Sequence, residues 1–465
     1  MTYFRFICSI LLIIIPALCS QLQAQPANKA QLAEAVNTKN ASTHSLLQEP
    51  QGLPFGRSYT INGDPKKSSK KVKNQEALND LDAFIKKCIY QGVFPGCQIF
   101  AAQNGEIIFQ RNYGYFTYDR KDLVTDSTLY DIASITKIAA TTLAVMKLSE
   151  QGKIDLSAKL KTYLPFTEST DKANMTIANL LMHQAGLKAW IPFYKNTLDS
   201  INGIPRQDLY RKVWDRAYNL PVAKNIYLKA SYQETIWEEI LMSEVESRQR
   251  YVYSDLDFYF LKQVVEVTSG LPLDQYVEKE FYQPLGLSHI LYNPWKKDWA
   301  DRCAPTENDQ SFRYQLIQGY VHDQGAALLG GVAGHAGLFA NVSDLAVLLQ
   351  MLNNGGTYNG NRYLQRKTVT NFTAYHSTLS RRGYGFDKPD KEKGSGGPAS
   401  ELCSKMTFGH QGFTGTCAWA DPETGITFIL LSNRVNPSAE NRLINSMDVR
   451  TKAQSYIYEA LGYGK

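Results

Sequence analysis

The chain has 465 residues, of which 43% are hydrophobic and 20% are charged, and its formal net charge at pH 7 is +6. This composition excludes a fully disordered or collagen-like chain and supplies enough apolar residues for a large core. A positive balance raises the question of an acidic partner such as nucleic acid, and the answer depends on where the charges lie.

The first 24 residues have the layout of an export signal. Arg5 precedes an apolar run, Ile7 to Leu18, and Ala24 offers a small residue for cleavage. The run is too short to cross a bilayer. A lipid anchor on Cys19 is the alternative, and bulky Leu18 before it disfavours that interpretation. We predict a signal peptide over 1–24, a periplasmic or secreted protein, and no transmembrane span after cleavage.

Residues 25–75 are rich in polar residues and proline and lack sustained periodicity, which predicts a disordered linker. Five lysines lie near its end: Lys66, Lys67, Lys70, Lys71 and Lys73. Together with Arg5 they account for the whole net charge of +6, because residues 25–65 and 76–465 are each formally neutral. We therefore expect no nucleic-acid partner.

Residues 76–465 predict one α+β domain. Apolar residues three or four apart, from Leu78 to Ile89, indicate a helix. The dipeptide Asn104-Gly105 between two strand-like runs predicts a hairpin, and 417–420 with 426–431 predict a second strand pair before a final helix. Helical patterns dominate roughly 140–375. This order predicts an antiparallel sheet built from both termini and flanked by helices, with a mainly helical second lobe.

Five cysteines remain after cleavage: Cys88, Cys97, Cys303, Cys403 and Cys417. Because the number is odd, at least one is unpaired in an exported chain. Their spacing matches no zinc-binding pattern. We expect buried thiols, with one disulfide left open as an alternative, and no zinc site.

The first motif that carries chemistry is Ser134-Ile135-Thr136-Lys137, before an apolar, alanine-rich stretch. Positions i and i+3 share one face of a helix, so Lys137 should lie beside the Ser134 hydroxyl. A desolvated lysine with a lowered pKa can remove the serine proton, and the Ser134 N–H at a helix start can bind an oxyanion. The spacing also occurs at Ser68…Lys71 and Ser169…Lys172, so the motif alone is weak.

The second motif is Tyr253-Ser254-Asp255. A tyrosine oxygen near a lysine ammonium can act as a base, and a carboxylate can hold that lysine charged or position it. A tyrosine packed in a turn is the ordinary alternative in a chain with 28 tyrosines.

The third motif is Gly409-His410-Gln411-Gly412-Phe413-Thr414-Gly415-Thr416, at the entrance to the C-terminal strand pair. Gly412 permits close approach of a ligand or another backbone. His410 offers a hydrogen-bond donor that is mostly neutral at pH 7, and the Phe413 N–H offers a second oxyanion donor. A glycine-bent strand with a packed histidine is the alternative.

In this order the motifs resemble those of the serine β-lactamase and penicillin-binding-protein family, in particular its class C-like branch of esterases and D-amino-acid peptidases. Further segments resemble the family as well: 131–137, 150–156, 180–187, 282–287 and 330–339. The resemblance covers roughly residues 78–460 and implies acyl transfer through an ester on Ser134, with no metal or organic cofactor needed. Lys137 and Tyr253 would exchange the proton, and the Ser134 and Phe413 N–H groups would hold the oxyanion.

Two residues depart from the family pattern and bear on substrate recognition. Asp255 replaces the usual asparagine, and an ionised carboxylate cannot donate to a substrate carbonyl. His410 replaces a lysine, so a permanent cation for a substrate carboxylate is expected to be missing. The first change weakens the case for recognition of a penicillin or of a peptide acyl-amide, and both changes disfavour efficient antibiotic hydrolysis. We interpret residues 190–250 as an insertion beside the site, and we interpret His183, His322 and His335 as structural histidines.

Two functions remain open at this point. The first is an exported serine hydrolase that acts on a peptidoglycan-derived peptide, ester or amide, with β-lactam hydrolysis possible. The second is a catalytically weak penicillin-binding-like protein that recognises peptidoglycan fragments. The sequence leaves the oligomeric state undetermined.

Overall fold

The computed structural model describes residues 72–246, 250–390, 392 and 397–463. The predicted signal peptide and residues 25–71 of the predicted linker lie outside this part of the chain. Within it, no helix has both the length and the apolar character needed to cross a membrane.

The described strands, in chain order, are β1 Gly96–Gln103, β2 Glu106–Gly114, β3 Tyr130–Asp131, β4 Tyr210–Arg211, β5 Leu220–Ala223, β6 Ile226–Leu228, β7 Ile290–Tyr292, β8 Asn308–Asp309, β9 Gln315–Leu316, β10 Leu338–Ala340, β11 Thr357–Tyr358, β12 Asn361–Arg362, β13 Phe408–Gly412, β14 Thr416–Asp421 and β15 Ile426–Ser432. The described α-helices are α1 Gln75–Tyr90, α2 Thr142–Glu150, α3 Leu160–Tyr163, α4 Ile177–Leu181, α5 Tyr232–Met242, α6 Leu256–Ser269, α7 Leu273–Val277, α8 Gln283–Leu285, α9 Gln324–Leu328, α10 Val342–Asn353, α11 Arg366–Thr373, α12 Leu443–Ser446 and α13 Val449–Ala460.

The main sheet joins strands from both ends of the chain, in the order β13-β14-β15-β1-β2. Strand β1 pairs antiparallel with β15, from Cys97 opposite Ser432 to Gln103 opposite Ile426. Asn104 and Gly105 connect β1 to β2 with φ of 50° and 80°, the left-handed conformation that this dipeptide favours. Both predicted hairpins and the predicted α+β class are confirmed.

The two faces of the sheet belong to two different cores, because successive side chains of a strand point to opposite faces. On one face, Ile99 packs in a core shared with α1 and α13. On the other, Phe100 packs in a larger core shared with α10 and the helical lobe. The second core extends to the segment that carries Ser134, so the sheet and the helical lobe hold the site between them.

The lobe between the hairpins contains short strands that the sequence did not predict. Strands β3, β10 and β7 form one small sheet, and β4, β6 and β5 form another. Pieces of two to four residues are too short to show a period of two. The predicted insertion, 190–250, contributes the second of these sheets and helix α5. All five cysteines of the described residues are free, which excludes the disulfide left open above.

Candidate active site

Ser134 lies in a tight turn between β3 and α2. Its neighbour Ala133 has φ of 46°, a conformation that costs free energy in a residue with a β-carbon. The Asp131 carboxylate holds the turn by accepting from the Ala133 N–H at 2.8 Å and from the His322 N–H at 2.7 Å. The Ser134 side chain is thereby presented at the start of a π-helical turn, Lys137–Thr141.

The Lys137 ammonium sits at the centre of the site and is completely buried. It donates to Ser134 Oγ at 2.9 Å, to Asp255 Oδ1 at 2.7 Å and to the His335 carbonyl at 3.1 Å. An ammonium has three protons, and each of them has an acceptor here. The predicted contact between Lys137 and Ser134 is therefore present, with Asp255 as the counter-ion.

The charge on Lys137 differs from the prediction. Burial works against the ammonium, but Asp255 and Tyr253 outweigh it, and the pKa of Lys137 is raised. The expected lowered pKa is therefore wrong for the free enzyme, because an ion pair at 2.7 Å compensates the desolvation. Lys137 is protonated at rest and must lose a proton before it can act as a base.

Tyr253 and Asp255 reach the site from the segment that precedes α6. Asp255 directly precedes that helix but makes no capping hydrogen bond with its side chain, which instead contacts Lys137. Lys137 Nζ lies 4.9 Å from the centre of the Tyr253 ring. The Tyr253 hydroxyl is buried and has no well-formed hydrogen bond to a described residue. Burial raises the pKa of Tyr253, and the Lys137 charge offsets only part of that rise.

A buried pair behind Tyr253 went unrecognised in the sequence. His183 packs against Tyr253 with 4.6 Å between ring centres, and its Nδ1 lies 2.8 Å from Asp257 Oδ2. Nδ1 also accepts from the Ser254 N–H at 3.2 Å, so the proton of the bond to Asp257 belongs to the carboxyl group. Burial lowers the pKa of His183 and raises the pKa of Asp257, in agreement with a neutral pair.

His410 lies on β13 beside Tyr253, with 5.8 Å between ring centres. Its Nδ1 is 2.6 Å from the Gln411 carbonyl, which can only accept, so Nδ1 carries the proton. The buried Nε2 has no partner among the described residues and is an acceptor. The ring N–H of His410, which the sequence offered as a hydrogen-bond donor, therefore donates to the backbone carbonyl of Gln411. Burial, with help from Arg382, lowers the pKa of His410 to about 3, so the ring is neutral at pH 7.

Gly412 brings β13 against the segment that carries Ser134. A β-carbon at this position would lie 2.1 Å from Thr416 Oγ1 and 2.6 Å from the Ile132 carbonyl. Thr416 Oγ1 donates to that same carbonyl at 3.2 Å. Phe413 follows directly, and its ring stacks on His322 with 5.7 Å between centres. The close approach predicted from the glycine is present between two backbones.

Arg382 supplies a cation beside His410. The arginine is nine-tenths or more buried, its Nη2 lies 3.4 Å from Asp387 Oδ2, and its Nε donates to the Tyr251 hydroxyl at 3.3 Å. Its Nη1 is buried with no partner among the described residues. The cleft therefore contains a permanent cation that the third motif lacks, and this cation is paired with Asp387. No spacing connects Arg382 to the third motif, so the sequence offered no signal for it.

These groups line one cleft of about 630 Å³. All the predicted site residues except Lys137, which is buried beneath its floor, belong to the lining. Arg382 lines the cleft, and so do His322 and His335, which were expected to be structural. These three residues line the cleft because the folded chain brings distant segments together, and no local motif indicates them.

Comparison with known proteins agrees with this geometry. The chain is 32% identical over 386 residues to an Escherichia coli K12 protein named D-alanyl-D-alanine carboxypeptidase, covering 78% of this chain and 83% of that one. A Salmonella gallinarum protein of the same name is 30% identical over 397 residues, covering 80% and 86%.

Solved structures show the same fold. A penicillin-binding-protein homologue from Caulobacter crescentus has a TM-score of 0.60 at 18% identity, covering 84% of this chain and 99% of that one. EstCE1, described as a hydrolase with promiscuous acyltransferase activity, has a TM-score of 0.59 at 20% identity, covering 83% and 99%.

Fold, site and relatives together define a serine hydrolase of the β-lactamase-related type. The sequence model of the β-lactamase family matches residues 81–448, and the chain belongs to that family.

Proposed function

We propose that this hydrolase cleaves the bond before a C-terminal, carboxylate-bearing residue of a peptidoglycan-derived peptide, through an acyl-enzyme on Ser134. One observation carries the proposal: a buried ammonium bonded to the Ser134 hydroxyl lies beneath a cleft that is also lined by Arg382, a buried arginine whose Nη1 has no partner among the described residues. The contact between the ammonium and the serine hydroxyl suits acyl transfer, and the guanidinium suits the binding of a substrate carboxylate. The carboxypeptidase names of the relatives support the same substrate class.

Acylation begins with loss of one proton from the Lys137–Tyr253 pair, since both groups are protonated at rest. Ser134 Oγ then attacks the carbonyl and passes its proton to the pair. The negative charge that develops on the carbonyl oxygen is held by the Ser134 and Phe413 N–H groups. The C–N bond breaks, and the pair returns the proton to the leaving amine. Water hydrolyses the ester by the same steps in reverse.

Arg382 takes the place of the lysine that the third motif lacks. A neutral His410 cannot bind a carboxylate by charge, whereas a guanidinium is always charged and can form paired hydrogen bonds. Asp387 already neutralises part of that charge, but Arg381 donates to Asp387 as well, at 2.8 Å. Arg381 Nη1 also lies 3.5 Å from Asp390 Oδ1, so two carboxylates balance these two guanidinium groups, and the proposed binding role of Arg382 rests on its Nη1, which has no partner among the described residues.

The peptide substrate implies an exported enzyme. The charge, apolar run and small residue of positions 1–24 support export to the periplasm or outside the cell. Asp255 and His410 in place of asparagine and lysine disfavour rapid antibiotic hydrolysis.

The second candidate is a catalytically weak, penicillin-binding-like protein. The ion pair between Lys137 and Asp255 favours it to the extent that it holds the base protonated. Mass spectrometry of the full chain after exposure to a fluorophosphonate, benzylpenicillin and N-acetyl-D-Ala-D-Ala separates the candidates, with Ser134→Ala as the control. We expect a fluorophosphonate adduct on Ser134 and turnover of the peptide. A stable penicillin adduct without turnover would support the weak binder, and no adduct from any probe would overturn both.

A further inference from the structure

A side pocket of about 30 Å³ adjoins the main cleft beside Asp255. The two cavities share five lining residues: Trp190, Asp255, Asp323, Gln324 and His335. A cavity needs about 10 to 15 Å³ of such space to hold one water molecule. The side pocket therefore has room for one or two water molecules and is too small for a substrate.

One wall of the pocket carries a buried polar atom without a protein partner. His335 is 2% exposed, its ring stacks on Tyr259 with 4.8 Å between centres, and its Nε2 lies 2.8 Å from Asp323 Oδ1. The other ring nitrogen, Nδ1, is buried and has no partner among the described residues. A buried polar atom without a hydrogen bond costs free energy, so such atoms bond to protein or to ordered water. This nitrogen therefore indicates a bound water molecule.

The other polar groups of the pocket can complete the hydrogen bonds of that water molecule. Asp255 uses Oδ1 for Lys137, and Asp323 uses Oδ1 for His335. No described residue donates to the second oxygen of either carboxylate. The side-chain amide of Gln324 adds both an N–H group and a carbonyl oxygen to the lining. An ordered water molecule in a protein makes two to four hydrogen bonds, and this lining offers enough partners.

Water matches this lining because it donates and accepts hydrogen bonds. Burial works against the charge of Asp323, but His335 outweighs burial and holds the pKa of this carboxyl group below its usual range, so Asp323 accepts at pH 7. The Gln324 amide can donate, and His335 Nδ1 accepts in the neutral ring and donates in the charged ring. A cation would match only the acceptors, and an anion would match only the donors.

The pocket and the nucleophile adjoin the same ammonium group. Lys137 Nζ donates to Ser134 Oγ at 2.9 Å and to Asp255 Oδ1 at 2.7 Å. A water molecule on the second oxygen of Asp255 is therefore separated from the nucleophile by one carboxylate and one ammonium group. Because the pocket adjoins the cleft, a short movement brings this water molecule to an ester on Ser134.

We propose that the side pocket binds the water molecule that hydrolyses the acyl-enzyme, with Asp255, Asp323, Gln324 and His335 as its positioning residues. This inference rests on the proposed function, because it requires the ester on Ser134. A water molecule kept beside the ester favours hydrolysis over transfer of the acyl group to another hydroxyl compound.

The hydrolytic step conserves atoms and protons. The water oxygen forms a bond to the ester carbonyl carbon while one water proton passes to the deprotonated Lys137–Tyr253 pair. The bond between that carbon and Ser134 Oγ then breaks, and the pair returns the proton to Oγ. The products are the free acid and the Ser134 hydroxyl.

The test measures how the acyl-enzyme divides between water and an alcohol. The full chain is incubated with p-nitrophenyl acetate and 1-butanol, and gas chromatography gives the ratio of acetate to butyl acetate, with Ser134→Ala as the background. Release of p-nitrophenol in the first turnover measures acylation separately. The acetyl group has no hydroxyl that could enter the pocket, so this substrate tests water alone.

Two variants alter the pocket. Gln324→Met removes the amide and keeps the length of the side chain, and Asp323→Asn replaces one acceptor by a donor. We expect each variant to lower the ratio of acetate to butyl acetate about fivefold, the order of one hydrogen bond, and to change acylation by a smaller factor. The second variant keeps the test valid if the first fails to fold. Gln207→Met and Asp122→Asn, at exposed residues that line neither cavity, are the matched controls and should keep the wild-type ratio.

An unchanged ratio in both pocket variants would overturn the water site and leave the proposed function standing. Equal losses of acylation and hydrolysis, with the ratio unchanged, would reveal a purely structural role and would overturn the water site as well. If the wild type forms no acetyl ester on Ser134, the acyl-enzyme is overturned, and the proposed function and the water site fail together.

Discussion

Replacing Asp255 by asparagine tests the electrostatics on which catalysis depends. Asp255 Oδ1 lies 2.7 Å from Lys137 Nζ. At an effective dielectric constant of about 20 this distance corresponds to an attraction of about 6 kcal/mol, before the cost of desolvating both ions. An opposite charge at such a distance changes the pKa of its neighbour by about 1 to 3 once desolvation is included.

The sign of the change is the same for both members of the proton-exchanging pair. The Asp255 charge raises the pKa of Lys137, and it also raises the pKa of Tyr253. Removing the charge therefore lowers the pKa of the pair, whichever group releases the proton. In the proposed mechanism the enzyme becomes active after this proton is lost, so kcat/KM should rise at a lower pH in Asp255→Asn than in the wild type.

The assay is hydrolysis of p-nitrophenyl acetate from about pH 6 to 10, with kcat/KM determined at each pH. We expect the wild-type kcat/KM to be still rising at pH 10, and the rise in Asp255→Asn to lie about 1 to 3 lower on the pH scale and so within the measured range. Asp122→Asn serves as the control and should keep the wild-type profile. A rise that stays in place, or moves to higher pH, would refute the conclusion that Asp255 holds Lys137 charged.

Three further predictions follow from the site. Arg382→Gln should raise KM for N-acetyl-D-Ala-D-Ala by about tenfold or more relative to an amide-capped analogue, since one charged hydrogen bond contributes about 1.5 to 3 kcal/mol; equal effects on both substrates would contradict a role in carboxylate binding. Asp257→Asn should stabilise the protein at pH 7 but not near pH 4. The pKa of Asp257 is higher in the folded chain than in the unfolded chain, so the folded protein loses stability as the pH rises above the pKa of the unfolded chain. Each difference of one between the two pKa values costs about 1.4 kcal/mol. Denaturant titrations at the two pH values measure this difference, and equal effects would exclude the neutral pair. Gly412→Ala should lower both stability, by about 1 to 3 kcal/mol, and esterase activity, because its β-carbon would lie 2.1 Å from Thr416 Oγ1; wild-type values in both assays would show that the strand moves at no cost.

Much of the fold could be predicted because its strongest signals are local. The turn at Asn104-Gly105 and the strand-like runs of β1 and β15 are properties of a few consecutive residues. The contact between Ser134 and Lys137 could be predicted for the same reason, since three residues of helical chain fix it. Strands β4 to β9 could not, because so few residues carry no period and tertiary contacts alone hold them in place.

The sequence by itself determined the α+β class, the sheet built from both termini, and the contact between Ser134 and Lys137. Only the tertiary structure decided the charges in the site: Asp255 reverses the expected change in the pKa of Lys137, and the Gln411 carbonyl turns the His410 proton away from the cleft. It also placed Arg382 where the third motif lacks a cation. Protonation depends on burial and on neighbours that are distant in the chain, and local spacing contains neither of these.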